Sequence, residues 1–204
     1  MLTEVHEAAQ EWTHRAAVAI RSRISLVELE ELVQKGDAMP VNVSDLLEKL
    51  RSRVLLAHCW VKRLRNVLRV SGNDDPSTIV EMKWFSMMRK VLNGDDDERA
   101  SELHDLAIEG SRILVEIVEH RYLQIEIDAR NWGMRARKIL EKKGKIAELR
   151  EHLSRGGTIR ARIRIDIEKR DAWTLDYEAE LLAVVDKADA WHKQVSMNVL
   201  FTRS

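Results

Sequence analysis

The sequence predicts an all-α protein, an elongated array of antiparallel, spectrin-like helices. Three observations predict it. Apolar residues recur at helical three-to-four spacing along nearly the whole chain. Turn formers are scarce, with 8 Gly and 2 Pro in 204 residues, too few for a many-stranded sheet. The phrase Ala-x-x-Trp occurs four times, at Ala9–Trp12, Ala57–Trp60, Ala129–Trp132 and Ala188–Trp191. In a helix this spacing puts the aromatic knob and the small gap on one face. That face continues with apolar residues four places on (Ala16, Leu64, Ala136, Val195) and eight places on (Ile20, Leu68, Leu140, Val199). This is the vocabulary of helix packing and names no chemistry.

The elements follow in order. Residues 4 to 24 read as a helix with Val5, Ala8, Ala9, Trp12, Ala16, Ala19 and Ile20 on its inner face. A short helix begins at Ser25, where Ser25 and Glu28 have capping-box spacing, and Gly36 is placed to end it. Pro40 disfavours helix at Met39, so residues 37 to 41 form an extended connector. Asn42 or Ser44 caps a long helix to about Val70, striped by Leu46, Leu47, Leu50, Val54, Ala57, Trp60, Leu64, Val67 and Leu68. Residues 71 to 76, Ser-Gly-Asn-Asp-Asp-Pro, are the clearest linker. Thr78 and Glu81 make a second capping box, opening a helix to about Leu92. Asp95, Asp96 and Asp97 then sit where a helix dipole favours acids, and one helix from Glu98 to about Lys143 is expected, with possible bends at Gly110 and Gly133.

A short helix follows from Lys145 to Leu153, ended by Gly156-Gly157. Residues 159 to 168 alternate Ile or Ala with Arg, Asp or Glu, a strand signature. Helix is preferred there because no strand partner exists elsewhere. Residues 175 to 201 are helical by the stripe Leu181, Val184, Val185, Ala188, Trp191, Val195 and Val199.

There is an internal repeat. Leu29 and Gly36 lie 17 and 24 places after Trp12; Leu149 and Gly156 lie 17 and 24 places after Trp132. The unit is a Trp helix, a short elbow helix, a Gly turn and a long return helix with its own Trp. The chain divides accordingly into a first helical unit, 1–70, connecting helices, 71–128, and a second unit, 129–204.

Composition excludes several function classes. With 34 basic and 34 acidic residues the formal net charge is zero, so direct nucleic-acid binding is not expected. The single cysteine, Cys59, excludes an internal disulfide framework and a multi-thiolate metal site, and fits a reducing compartment. No stretch resembles a secretory signal or a membrane span. The chain reads as a segment of a longer protein.

Leu29-Glu30-Glu31-Leu32-Val33, Gly36, Met39-Pro40-Val41, Leu46-Leu47-Glu48-Lys49-Leu50 and Val54-Leu55-Leu56-Ala57-His58-Cys59-Trp60 together resemble the PLU-1 region of the JARID-type histone H3 lysine-4 demethylases. The resemblance is closest over residues 12 to 70. Over 129 to 204 the Trp and Gly landmarks remain, but Ile159-Arg160 replaces the Pro-Val step; residues 71 to 128 match only as helix. The resemblance implies a non-catalytic scaffold or interaction segment of a nuclear, chromatin-modifying enzyme involved in transcription regulation. Such enzymes carry a jumonji core using Fe(II) and 2-oxoglutarate, an AT-rich-interaction domain, PHD fingers and a zinc finger. None of the seven His residues has an acid two places on, so the family's iron-binding phrase is absent. No catalytic, cofactor-binding or metal residue is therefore assigned. The implied partners are other proteins or flanking domains of the same chain.

Other readings compete. A spectrin-type cytoskeletal or adaptor repeat uses the same helical pattern. A dimetal carboxylate enzyme would use Glu11-x-x-His14 and Asp189-x-x-His192, whose i, i+3 spacing suits such sites, but both His lie one or two places from a core Trp. The four repeated Trp are expected in the core. Trp84, Phe85, Met87 and Met88 span more than one helix face, so a partner-binding patch competes with core there. Arg160, Arg162 and Arg164 precede Asp166, Glu168 and Asp171 and read as a salt-bridged face rather than a phosphate site. Lys142-Lys143-Gly144-Lys145 offers a nuclear-import signal or, more simply, a cation-rich helix end. Cys59 is expected to be a buried neighbour of Trp60.

Overall fold

A computed structural model describes residues 2–40, 42–70, 81–163 and 173–201. The protein is all-α. Eight helices lie in the described residues: α1 (Leu2–Arg21), α2 (Leu26–Asp37), α3 (Ser44–Leu68), α4 (Glu81–Leu92), α5 (Asp97–Arg112), α6 (Val118–Glu141), α7 (Ile146–Ala161) and α8 (Glu178–Phe201). The linker at 71–76, Thr78 and the second half of the alternating segment, 164–168, lie outside the described residues; Ile159 to Ala161 close α7 as helix.

The local signals work where capping chemistry is explicit. Ser25 Oγ accepts from the Glu28 amide at 3.2 Å and the Glu28 carboxylate accepts from Ser25, so the capping box forms at α2. At α3 the expected cap at Asn42 or Ser44 is corrected: the N-cap is Val43, with no side-chain cap bond, and Asn42 Oδ1 accepts from the Ser44 amide at 3.1 Å and from its hydroxyl at 2.7 Å just ahead of the helix. Asp96 caps α5 through the Arg99 amide at 3.1 Å.

Two expected elements are corrected. The single helix from Glu98 to Lys143 is interrupted between Arg112 and Val118. The segment Ile113–Ile117, with three β-branched residues in five, leaves the helix, and within it β2 (Val115–Glu116) pairs in parallel with β1 (Ile24–Ser25). Val115 and Ile117 are buried by this step. Arg23 Nη2 donates to the carbonyls of Gly110 and Ile113, each at 3.2 Å, and so takes up acceptors that the end of α5 leaves free. The second correction concerns the glycines. Gly36 lies within the last turn of α2, and α7 runs straight through Gly156 and Gly157 to Ala161. Gly36 and Gly156 are used for close approach, not for turning the chain.

The chain forms two compact units. The first comprises Met1–Ile79 with Gly94–Leu123, the second Val80–Asn93 with Gln124–Ser204. The expected connecting segment, 71–128, is thus not a separate piece, because α5 packs on α3 in the first unit while α4 belongs to the second. In the first unit the core is built from Trp12, Leu29, Leu32, Leu50, Trp60, Leu64, Leu103 and Leu106. In the second, Trp84, Phe85, Met88, Ile125, Trp132, Leu149, Trp173 and Leu181 fill the interior. No described helix is long and apolar enough to cross a membrane.

Candidate functional sites: tryptophan joints and an open helix face

Three of the four repeated Trp residues are buried: Trp12, Trp60 and Trp132. Each indole N–H donates to a backbone carbonyl inside another helix. Trp12 Nε1 reaches Leu32 O at 2.9 Å, Trp60 Nε1 reaches Leu106 O at 2.9 Å, and Trp132 Nε1 reaches His152 O at 2.8 Å. In each case a glycine stands four residues after the accepting carbonyl: Gly36, Gly110 and Gly156.

The spacing has a physical cause. A helical carbonyl at i accepts the amide of i+4, leaving one lone pair free. The side chain of i+4 stands beside that oxygen, which is why Ser and Thr there bond back to it. Glycine at i+4 clears the approach, so a second donor can reach the free lone pair. A Cβ on Gly36 would stand 2.5 Å from Trp12 Cζ2, and one on Gly156 would stand 3.0 Å from Trp132 Cε2 and 2.8 Å from Leu175 Cδ1. A Cβ on Gly110 would meet His120 first, at 2.3 Å from Cδ2; this ring lies edge-on to Trp60, with centroids 5.5 Å apart. A leucine seven residues before each glycine completes the seat: Leu29, Leu103 and Leu149, all buried. The three acceptor helices therefore share the phrase Leu-x-x-Φ-x-x-x-Gly, where Φ is Leu32, Leu106 or His152.

Two histidines reinforce the joints. His152 stacks on Trp132 at 4.5 Å with planes 7° apart, and its Nε2 lies 3.0 Å from Trp132 O. A carbonyl only accepts, so Nε2 carries the proton, and the two residues exchange ring-to-backbone hydrogen bonds. His120 Nε2 likewise donates to Ala107 O at 2.9 Å. Burial lowers both imidazole pKa values below the ordinary range, against a smaller raising effect from these hydrogen bonds.

The second unit also contains a buried carboxylate. Glu126 accepts from Arg89 Nε at 2.9 Å, Arg89 Nη2 at 3.1 Å and Trp173 Nε1 at 2.6 Å. Arg89 also donates to Thr174 O at 3.0 Å and lies 5.2 Å from the centre of the Trp173 ring. Both carboxylate oxygens are occupied by protein donors, which makes this a structural clamp holding α4, α6 and the segment before α8.

The structure places the other sequence candidates as follows. Trp84, Phe85 and Met88 are buried, so the aromatic cluster of α4 is core rather than a partner patch. Glu11 and His14 are exposed on α1, while Asp189 pairs with Arg150. Among the described residues no group of three or more His, Cys, Asp and Glu is arranged to hold a metal. Arg160 pairs with Glu178 and Arg162 with Asp128; the acids expected to serve them, and Arg164, lie outside the described residues. Cys59 is exposed, not buried, because its direction from the α3 axis is one residue, about 100°, away from Trp60.

The fourth Trp corrects the core expectation. Trp191 is 64 % exposed. The rungs Arg160–Glu178 and Arg150–Asp189 align α7 and α8 antiparallel. Helix α8 has 24 residues against 16 in α7, so it outruns its neighbour by about 12 Å. Leu181 and Val185 are buried, but Val184, Trp191 and Val195 are exposed on one helical stripe beside Ala188. No family model matches the chain, and no curated protein and no solved structure matches it.

Proposed function

We propose that this chain is a non-catalytic helical scaffold segment of a JARID-type histone H3 lysine-4 demethylase, equivalent to its PLU-1 region. The observation that carries the reading is the use made of the residues bearing the resemblance. Leu29, Leu32, Gly36, Leu47, Leu50, Ala57 and Trp60 are all buried, and they include the parts of two tryptophan joints. Residues placed this way hold helices in register, which suits a spacer between a catalytic core and a reader finger. The chain itself would perform no reaction; Fe(II) and 2-oxoglutarate would belong to the parent enzyme, in the nucleus. Its partners would be proteins or flanking domains.

An antibody raised against residues 1–204 tests this in nuclear extract. Depletion of Fe(II)- and 2-oxoglutarate-dependent demethylation of trimethylated H3 lysine 4 is the expected result. Recovery of the antigen from the cytoskeletal fraction, with that activity untouched, would favour the spectrin-type reading instead.

A further inference from the structure

We propose that the stripe of α8 from Val184 to Val195 is a docking face for an α-helix of a partner polypeptide, and that the partner carries the phrase Leu-x-x-Φ-x-x-x-Gly. The inference does not depend on the chromatin reading. It rests on a mismatch between donors and seats. Ala-x-x-Trp occurs four times, and in three cases the indole is seated on a helix carbonyl with glycine four places on, the glycine making room for the indole itself at Gly36 and Gly156 and for His120 at Gly110. The fourth, on α8, presents Ala188, Trp191 and Val195 in the same spacing, with Trp191 64 % exposed and Val195 39 % exposed.

The chain has no spare seat to offer it. Of its eight glycines only Gly36, Gly110 and Gly156 have leucine seven places before and an apolar or aromatic residue four places before. Those three seats are filled by Trp12, Trp60 and Trp132. Gly157 leaves open space on α7, but Arg150 stands where the leucine is required. The recognising chemistry is therefore supplied from outside these 204 residues. A partner helix with the phrase would give Trp191 Nε1 a lone pair to bond and cover the apolar stripe from Val184 to Val195. A partner helix with any other residue in place of the glycine would close the carbonyl to the indole.

The test uses an acceptor of known competence, a synthetic peptide of residues 26–38 held helical by a lactam between the exposed side chains of Glu31 and Lys35. The indole Nε1–H resonances of the intact chain are followed by NMR, with Trp191→Phe assigning the fourth. The Trp191 resonance is expected to shift saturably, with a dissociation constant on the order of a millimolar or tighter. A peptide carrying Gly36→Ala should bind at least about tenfold more weakly, and the Trp191→Ala chain, whose ring is largely outside the core, should fold unchanged and fail to raise the anisotropy of a dye-labelled copy of the peptide that the unsubstituted chain raises. The proposal is overturned if the Trp191 resonance does not move, or if the Gly36→Ala peptide moves it equally. It is also overturned if Trp191-dependent self-association appears in sedimentation, since the face would then serve a second copy.

Discussion

Adjacent glycines in α7 offer a sharp test of the joint, because intrinsic helix propensity treats them alike and the packing does not. Replacing either by Ala gains about 1 kcal/mol of propensity. At Gly157 a Cβ meets nothing within 4 Å, so that gain should be kept in full. At Gly156 the new Cβ would stand 3.0 Å and 3.1 Å from Trp132 Cε2 and Cζ2 and 2.8 Å from Leu175 Cδ1. Relieving such an overlap costs about 1–3 kcal/mol. If the indole backs away, its buried N–H loses His152 O, at a further ~1–3 kcal/mol. Gly156→Ala should therefore range from about neutral to about 5 kcal/mol destabilising, the upper figure applying when the indole is displaced. The two variants then differ by roughly 1–6 kcal/mol, or about 2–24 °C in midpoint for a chain of this size. Thermal unfolding followed by circular dichroism, at low protein concentration so that association contributes nothing, measures the gap. Equal stabilisation by both substitutions would refute the uncovered-carbonyl account, since it would mean that Trp132 does not need the glycine.

Other perturbations read the remaining parts of the fold. Trp60→Ala should cost about 3–5 kcal/mol by urea denaturation, as it removes a fully buried ring together with its bond to Leu106 O. Glu126→Ala should cost about 3 kcal/mol, because Arg89 and the Trp173 N–H lose their common acceptor; Arg89→Met with Glu126→Leu together should recover much of it. His120 and His152 have pKa values lowered by burial, so the folded state binds fewer protons than the unfolded one. The stability they contribute is complete above the unfolded value of about 6.5 and is lost as pH falls through that value toward the lowered ones. The urea midpoint should drop between pH 7.5 and 5, roughly, and His152→Gln should flatten the drop.

What was readable in the sequence follows the range of the interactions. The helical class and the α2 capping box rest on neighbours three or four residues apart, and both signals were complete within a few letters. The recurrence of Trp, Leu and Gly at 0, 17 and 24 was also visible, because Trp12 and Trp132 each reach a helix that follows directly. Its meaning was not, since a glycine near a helix end reads first as a stop signal. Only the partner carbonyl shows that Gly156 belongs inside a helix. The third joint was missed altogether. Trp60 and Gly110 are 50 residues apart, with α4 inserted between them in sequence, so no fixed-period comparison aligns them with the others. The break at 113–117 was hidden for a related reason: helix periodicity runs on through Leu114 and Ile117, and only β1, about 90 residues upstream, supplies the pairing that extends the chain there.

Trp191 reads as buried from its own helix and is exposed in the fold for the same reason of range. Its phrase is indistinguishable from the other three within helix α8, because Ala-x-x-Trp encodes only the donor half of a joint. The acceptor half, Leu-x-x-Φ-x-x-x-Gly, is carried by a different helix each time and is counted separately. Four donors against three acceptors leave one donor over, whichever way the helices pair. A wide apolar face on α8 thus has two meanings at once. Leu181 and Val185 are satisfied within the second unit, while Val184, Trp191 and Val195 keep the spacing of a joint without its seat. If the ring has a helix to lie on, Trp191, rather than any of the buried tryptophans, is the residue whose removal should leave the fold standing and abolish an interaction.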